Sequence, residues 1–216
     1  MTRTRPIILV LIACAVVWCG GRIASGSDER LGVFEGHTDV GTTPKAGSAS
    51  YDARLKEYSV TGGGANMWGT EDAFHFVWAQ ASGDITIAAQ VVLQGTTGNE
   101  HRKAGLMIRQ GLGASDAHAD VLIHGDGLTA LQYREKAGAE TREIRSEMTA
   151  PAFVRLERRA NTYTLFVADE KRHFTKVGSV DVELHDPVYV GLAVCSHDPE
   201  ALQTGVFRKV EFKGRR

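Results

Sequence analysis

HADVLIHGDGLTALQYR, residues 118–134, contains two runs of alternating apolar residues joined at Gly125-Asp126-Gly127. Alternation with period two predicts β-strands with one buried face, and the glycine-rich joint predicts a hairpin turn. The apolar face of the first strand, with the residue before it, consists of Ala117, Ala119, Val121 and Ile123. The opposite face carries His118, Asp120, Leu122 and His124, which is unusual for an ordinary solvated strand.

The same alternation continues on both sides of this hairpin. From Gly47 onward, short alternating runs are separated by turn signals every 8–12 residues, and SASYDARLKEYSVTG predicts a hairpin around residues 52–56. About a dozen antiparallel strands in one domain favour an all-β jelly-roll sandwich of two large sheets over residues 47–213. A closed barrel is the alternative. Residues 27–46 are expected to be an irregular lead-in.

Composition supports one folded domain. Hydrophobic residues make up 43% of the 216 residues, enough for a core, and 24 Gly against 5 Pro indicate tight turns. The net charge is −1, without the excess of basic residues that is typical of nucleic-acid-binding proteins, so no nucleic-acid partner is expected.

The N-terminus has the three-part pattern of an export signal: basic MTRTRP, apolar IILVLIACAVVW and small, polar CGGRIASG. Residues 1–26 are therefore predicted to be a signal peptide ending at Ala24-Ser25-Gly26, or a lipoprotein signal with Cys14 lipidated. The apolar run of residues 7–18 is short for a membrane span, so no transmembrane domain is expected after processing. An uncleaved anchor is the third alternative. The predicted location is extracytoplasmic, secreted or periplasmic.

Removal of the signal would leave Cys195 without a disulfide partner. The fold must then depend on its own core. The alternating run YVGLAVCSH predicts that Cys195 is a buried structural thiol rather than a nucleophile.

Several phrases resemble the concanavalin A-like domains of unknown function called "regulation of enolase"-like, found in secreted bacterial proteins, some beside Tol-type β-propellers. The matching phrases span about residues 33–212: GSASYD, GGGANMWGTEDAFHFVW, GDITIAAQV, HRKAGLMIRQ, HGDGLTALQYRE, ERRANTYTLFVA and VYVGLAVCSHDP. The resemblance implies a concanavalin A-like sandwich and, by analogy of fold, a carbohydrate or glycan-like ligand on a concave sheet face. Fold alone does not fix function.

Antiparallel pairing predicts which polar side chains gather on that face. If KAGLMIRQ pairs with HADVLIHG, Arg109 lies opposite His118, and the following hairpin places Gln132 opposite Asp120 and Arg134 opposite His118. Guanidinium, carboxylate and amide groups suit sugar hydroxyls or carboxylates. The alternative is that these groups only stabilise one another on a solvated sheet.

Two further residues are candidate ligand contacts. Trp68 lies in a glycine-rich stretch and could stack on a sugar ring or close one end of the sandwich. His75 alternates with Phe74 and Phe76 and is predicted to line the same concave sheet. Strand-end residues could hold a cation, although turn formation explains them equally: His124, Asp126, His197 and Asp198.

The predicted function is a non-catalytic binding module without cofactor or metal. A protein-interaction or envelope-structural domain with an envelope protein partner is the alternative. A glycoside hydrolase or lyase of the same fold is disfavoured, because Asp120 is the only central carboxylate on the predicted face and a retaining hydrolase needs two.

Overall fold

The computed structural model describes Met1 and residues 31–216. The predicted signal, residues 1–26, lies outside the range 31–216. Residues 31–216 form fifteen strands: β1 (Gly36–Val40), β2 (Ser48–Asp52), β3 (Glu57–Gly62), β4 (Met67–Trp68), β5 (Glu71–Asp72), β6 (Phe74–Leu93), β7 (Lys103–Arg109), β8 (His118–His124), β9 (Thr129–Arg134), β10 (Arg142–Arg145), β11 (Phe153–Arg159), β12 (Thr162–Ala168), β13 (Phe174–Asp181), β14 (Val188–Cys195) and β15 (Gln203–Arg215).

The strands build two antiparallel layers that share one long strand. Sheet A has the order β10-β9-β8-β7-β14-β6-β1, and sheet B has the order β2-β3-β15-β6-β11-β12-β13. Residues 74–81 of β6 pair within sheet A, and residues between Ser82 and Leu93 pair within sheet B. The predicted all-β sandwich is confirmed, and sheet A ends in the edge strands β10 and β1 instead of closing into a barrel.

The main core lies between the sheets. Alternation along each strand turns one apolar face inward, so that sheet A contributes residues such as Leu106 and Val121 and sheet B contributes Ile87 and Leu165. The inward-facing residues of β7–β9 lie in or against this core: Leu106, Ile108, Ala119, Val121, Ile123, Leu131 and Tyr133. Burial of this face fixes the register, because a slip of one residue would turn it to solvent.

The lead-in predicted to be irregular contributes a strand. β1 lies within residues 27–46 and pairs with β6, with Val40 opposite Phe74. Its sequence, GHTDV, is short and mostly polar, so it lacks the apolar alternation that would have predicted a strand. In residues 31–216, no helix combines the length and apolar character needed to cross a membrane.

Candidate functional site

The predicted register of the three central strands of sheet A is confirmed. Arg109 lies opposite His118, which in turn lies opposite Arg134, and Asp120 lies opposite Gln132. All five therefore share the face of sheet A that is turned away from sheet B, which we call the outer face.

The expectation that this face is open to solvent is wrong. The exposed fraction is 0% for Arg109, His118, Asp120 and Arg134, and 1% for Gln132. Residues 63–73, which we call the cover segment, lie over the outer face. The segment includes the β4–β5 hairpin, and Met67 is buried in a second apolar cluster with Val40, Phe74, Phe76, Met107, Leu122, Ala193 and Cys195.

Asp72 of the cover segment explains how two arginines are buried together. Its carboxylate accepts two 2.8 Å hydrogen bonds from the guanidinium of Arg134 and one of 3.4 Å from Arg109. The ring of His118 lies 3.6 Å from the same carboxylate through Nδ1. A bidentate guanidinium–carboxylate pair is a strong, geometrically specific contact. Asp72 thus occupies the position against Arg109 and Arg134 in which a bound ligand was predicted.

Asp120 lies on the other side of the His118 ring from Asp72. Its Oδ2 is 3.3 Å from His118 Nε2, and burial raises the pKa of its carboxyl group. His118 therefore lies between two carboxylates, with neither ring nitrogen open to solvent. The alternative interpretation, in which these polar groups stabilise one another, describes Arg109, His118, Asp120 and Arg134 in this structure.

His75 lies on the other face of sheet A. Side chains two residues apart on a strand share a face, and Val77 belongs to the core between the sheets. The expectation that His75 lines the concave face is therefore wrong. The ring is buried, with Nδ1 at 2.7 Å from Asp39 Oδ1 and Nε2 at 2.9 Å from His37 Nδ1. Burial lowers the pKa of His75, and the Asp39 carboxylate opposes that shift.

Trp68 and Gln132 border a pocket of about 250 Å³ beside the buried cluster. Trp68 is 39% exposed because the β4–β5 hairpin turns Met67 inward and Trp68 outward. We call this cavity the sheet A pocket; its lining is Asn66, Trp68, His101, Lys103, His124, Leu128, Gln132, Glu143, Arg145 and His197.

Most of these residues were not predicted as site residues. Lys103 and His124 face each other across β7 and β8 with the same parity as Arg109 and Asp120, so the alternation already placed them on the outer face. Asn66, His101 and His197 come from loops that are distant in sequence, and no local pattern joins them to the strands.

Three imidazole groups line the pocket. Burial lowers the pKa of His124 to about 3, so its ring is neutral at pH 7. The ring of His101 lies 6.1 Å from that of His124 and 5.4 Å from that of His197, measured between centroids. Glu143 is held by Arg145 and by a 3.4 Å hydrogen bond from Gln132. The pocket thus presents several hydrogen-bonding groups around a half-exposed indole.

Strand-end acids form turns instead of a cation site. Asp126 Oδ1 accepts the backbone N–H of Leu128, and Asp198 Oδ1 accepts that of Glu200. Among the residues that the structure describes, no group of three His, Cys, Asp or Glu side chains has an arrangement that could hold a metal ion. Cys195 is buried as predicted, and burial raises the pKa of its thiol to about 11, which disfavours a nucleophile.

Comparisons with known proteins identify the fold. No protein-family model and no curated protein sequence matches the chain. A functionally unknown protein from Saccharomyces cerevisiae is 17% identical with a TM-score of 0.59, over 78% of this chain and 92% of that one. Carbohydrate binding module CBM66 from Bacillus subtilis is 14% identical with a TM-score of 0.55, and the match covers 84% of this chain and 98% of that one. Lectin UEA-II complexed with galactose is 10% identical with a TM-score of 0.51, and the match covers 83% of this chain and 98% of that one. At these identities the likeness shows the fold, which is concanavalin A-like.

Proposed function

We propose that this chain is a non-catalytic carbohydrate-binding module whose ligand occupies the sheet A pocket. The observation that carries the proposal is the pocket itself, where the exposed indole of Trp68 stands beside His124 and Gln132. Within the described residues, both ring nitrogens of His124 and Oε1 of Gln132 have no hydrogen-bond partner. Buried polar atoms are normally satisfied, so these buried atoms mark hydrogen-bonding capacity beside the pocket that the described residues leave unused.

The pocket chemistry favours binding over hydrolysis. Glu143 is the single carboxylate of the pocket lining, and it is already paired with Arg145. Retaining and inverting hydrolases both require two carboxyl groups that flank the bond to be cleaved. The structural neighbours named as a carbohydrate binding module and a galactose-complexed lectin support a carbohydrate ligand by analogy.

A glycan array followed by titration calorimetry tests the proposal. Trp68→Ala is expected to weaken binding of an array hit about tenfold, or about 1.4 kcal/mol, because the stacking surface is removed. The control is Leu55→Ala, which truncates an exposed apolar side chain at the β2–β3 turn and leaves the pocket intact. Equal affinity of the two variants, or no array signal with the wild type, would refute the proposal. Release of reducing ends from a bound glycan would instead favour an enzyme.

We also propose that the module acts outside the cytoplasm, as the sequence of residues 1–26 predicts. This proposal, like the finer resemblance to the exported "regulation of enolase"-like domains, rests on sequence alone. Cell fractionation with N-terminal sequencing of the mature chain is the test. A cytoplasmic protein that retains Met1 would contradict it.

A further inference from the structure

The amine of Lys103 is buried and lacks a direct ion-pair partner among residues 31–216, and burial lowers its pKa. Only 2% of the residue is exposed, and its Nζ donates one 2.8 Å hydrogen bond, to Asn66 Oδ1. Throughout residues 31–216, no carboxylate oxygen lies within 4.0 Å of this nitrogen. An ammonium group has three donors, so two remain after the Asn66 bond. Buried charges are usually paired, because an isolated ion in the interior loses its hydration without compensation.

The cross-strand neighbours of Lys103 do not form an ion pair with it. Its cross-strand neighbours are His124 on β8 and Cys195 on β14. Both are uncharged at neutral pH, because burial lowers the pKa of the imidazole to about 3 and raises that of the thiol to about 11. The carboxylates of Asp120, Asp72 and Glu143 favour the charged form of Lys103 from more than 4.0 Å away, so none of them forms a direct ion pair with it.

The sheet A pocket borders Lys103. Lys103 and His124 are both in its lining, and the void of about 250 Å³ is near the lower end of ligand-site volumes, which suits one sugar residue. Glu143 also lines the pocket, but its carboxylate pairs with Arg145 and makes no ion pair within 4.0 Å of Lys103 Nζ. An occupant with its own negative group would therefore complete the site.

Resting on the glycan-binding function proposed above, we propose that the pocket selects a sugar residue that carries a carboxylate, a uronic acid, and that Lys103 Nζ binds the carboxylate. His124 and Gln132 then hydrogen-bond the ring hydroxyl groups, and Trp68 covers the ring from the solvent side. The charge of Lys103 determines the preference, and the remaining lining determines which sugar fits.

Oligogalacturonides and the same oligomers after reduction of their carboxyl groups to hydroxymethyl groups provide a matched pair of probes. Fragments of alginate and hyaluronan widen the uronic acids covered, and galactan and mannan fragments supply unrelated neutral sugars. In calorimetry with the full chain, at least one uronate is expected to bind tenfold or more tightly than its carboxyl-reduced counterpart. Lys103→Met should abolish that preference, whereas Lys136→Met, at an exposed lysine, should leave it unchanged.

The outcomes separate this inference from the proposed function. Binding of neutral glycans with equal or higher affinity than uronates overturns the uronate preference and leaves a carbohydrate-binding module. Failure of every glycan overturns both proposals. A urea midpoint for Lys103→Met at or above the wild-type value shows that the variant is folded, and a uronate preference that survives in this folded variant overturns the role of Lys103.

Discussion

The guanidinium of Arg134 links the outer face of sheet A to the surrounding loops through hydrogen bonds. Besides the two hydrogen bonds to Asp72, it donates to four backbone carbonyl groups and to the Thr141 hydroxyl group. A lysine ammonium group has three N–H donors, too few for these hydrogen bonds, which explains why an arginine occupies the position. The buried charge is compensated because every acceptor is fixed by the fold.

Arg134→Met tests this residue-scale compensation. The substitution leaves the buried Asp72 carboxylate with the 3.4 Å hydrogen bond from Arg109 and the His118 ring at 3.6 Å, so we expect a loss of about 3–5 kcal/mol in the free energy of unfolding. Arg142→Met is the control, since it breaks an exposed pair with Glu135 and should cost less than about 1 kcal/mol. Urea denaturation measures both variants. Equal costs would show that burial does not strengthen the Asp72 contacts.

His124 makes stability depend on pH. In the unfolded chain a histidine takes up a proton near pH 6.5, whereas folded His124 resists protonation until about pH 3. The unfolded state therefore binds more protons between these values, and the folded state loses stability as pH falls through this window, by at most about 1.4 kcal/mol per pH unit.

Comparison of wild type with His124→Gln isolates this contribution. Between pH 7 and pH 5, the stability of the wild type relative to the variant should fall by about 1–2 kcal/mol. Other groups with shifted pKa values, such as Asp120 and His75, are present in both proteins and cancel in the difference. A pH-independent difference at His124 would contradict the prediction.

At the scale of elements, the cover segment both closes the outer face and forms one wall of the pocket. Its backbone is bonded to three other segments: Asp72 N–H to Ala114 O, Thr141 N–H to Gly69 O and Asp198 N–H to Gly64 O. At Gly64, with φ of +108°, a Cβ would lie 1.9 Å from the carbonyl oxygen of Ala73, so only glycine fits the entry to the segment.

Met67→Ala is the corresponding prediction. The side chain is fully buried, so its truncation should cost about 2–5 kcal/mol and loosen the β4–β5 hairpin. Because Asn66 and Trp68 flank it, glycan affinity should fall as well. Hydrogen exchange of the amides of residues 64–73 should accelerate more than that of β8. Met148→Ala, at an exposed methionine, should alter neither exchange nor binding. Unchanged exchange in the cover segment would argue against Met67 as its anchor.

The elements also show which features the sequence could predict. The register of β7, β8 and β9 follows from alternation and one glycine turn, both of which are local. The cover segment could not be predicted in this way, because TGGGANMWGTED has neither periodicity nor a turn pattern that indicates where it packs. The pairing of Asp72 with Arg134 joins residues 62 positions apart, so the burial of the predicted face depends on a contact that the strands themselves do not encode.

For the whole molecule, β6 makes the two sheets one cooperative unit. It runs through both layers, with Gly83 at φ of +73° between its two halves and the Gly83 N–H donating to Asp186. Leu106 of sheet A and Leu165 of sheet B belong to the same buried cluster. Separation of the layers would therefore expose both inner faces and break the hydrogen-bond ladders at the middle of a single strand.

Leu106→Ala and Leu165→Ala test this cooperativity from opposite layers. Each removes a fully buried side chain and should lower the free energy of unfolding by about 2–5 kcal/mol. Because the layers share β6 and one core, each substitution should lower the opening free energy of the slowest-exchanging amides in β8 and in β12 by the same amount. Native-state hydrogen exchange resolves the two strands separately. If Leu106→Ala lowered protection in β8 alone and Leu165→Ala in β12 alone, the sheets would unfold independently and the continuity of β6 would not couple them.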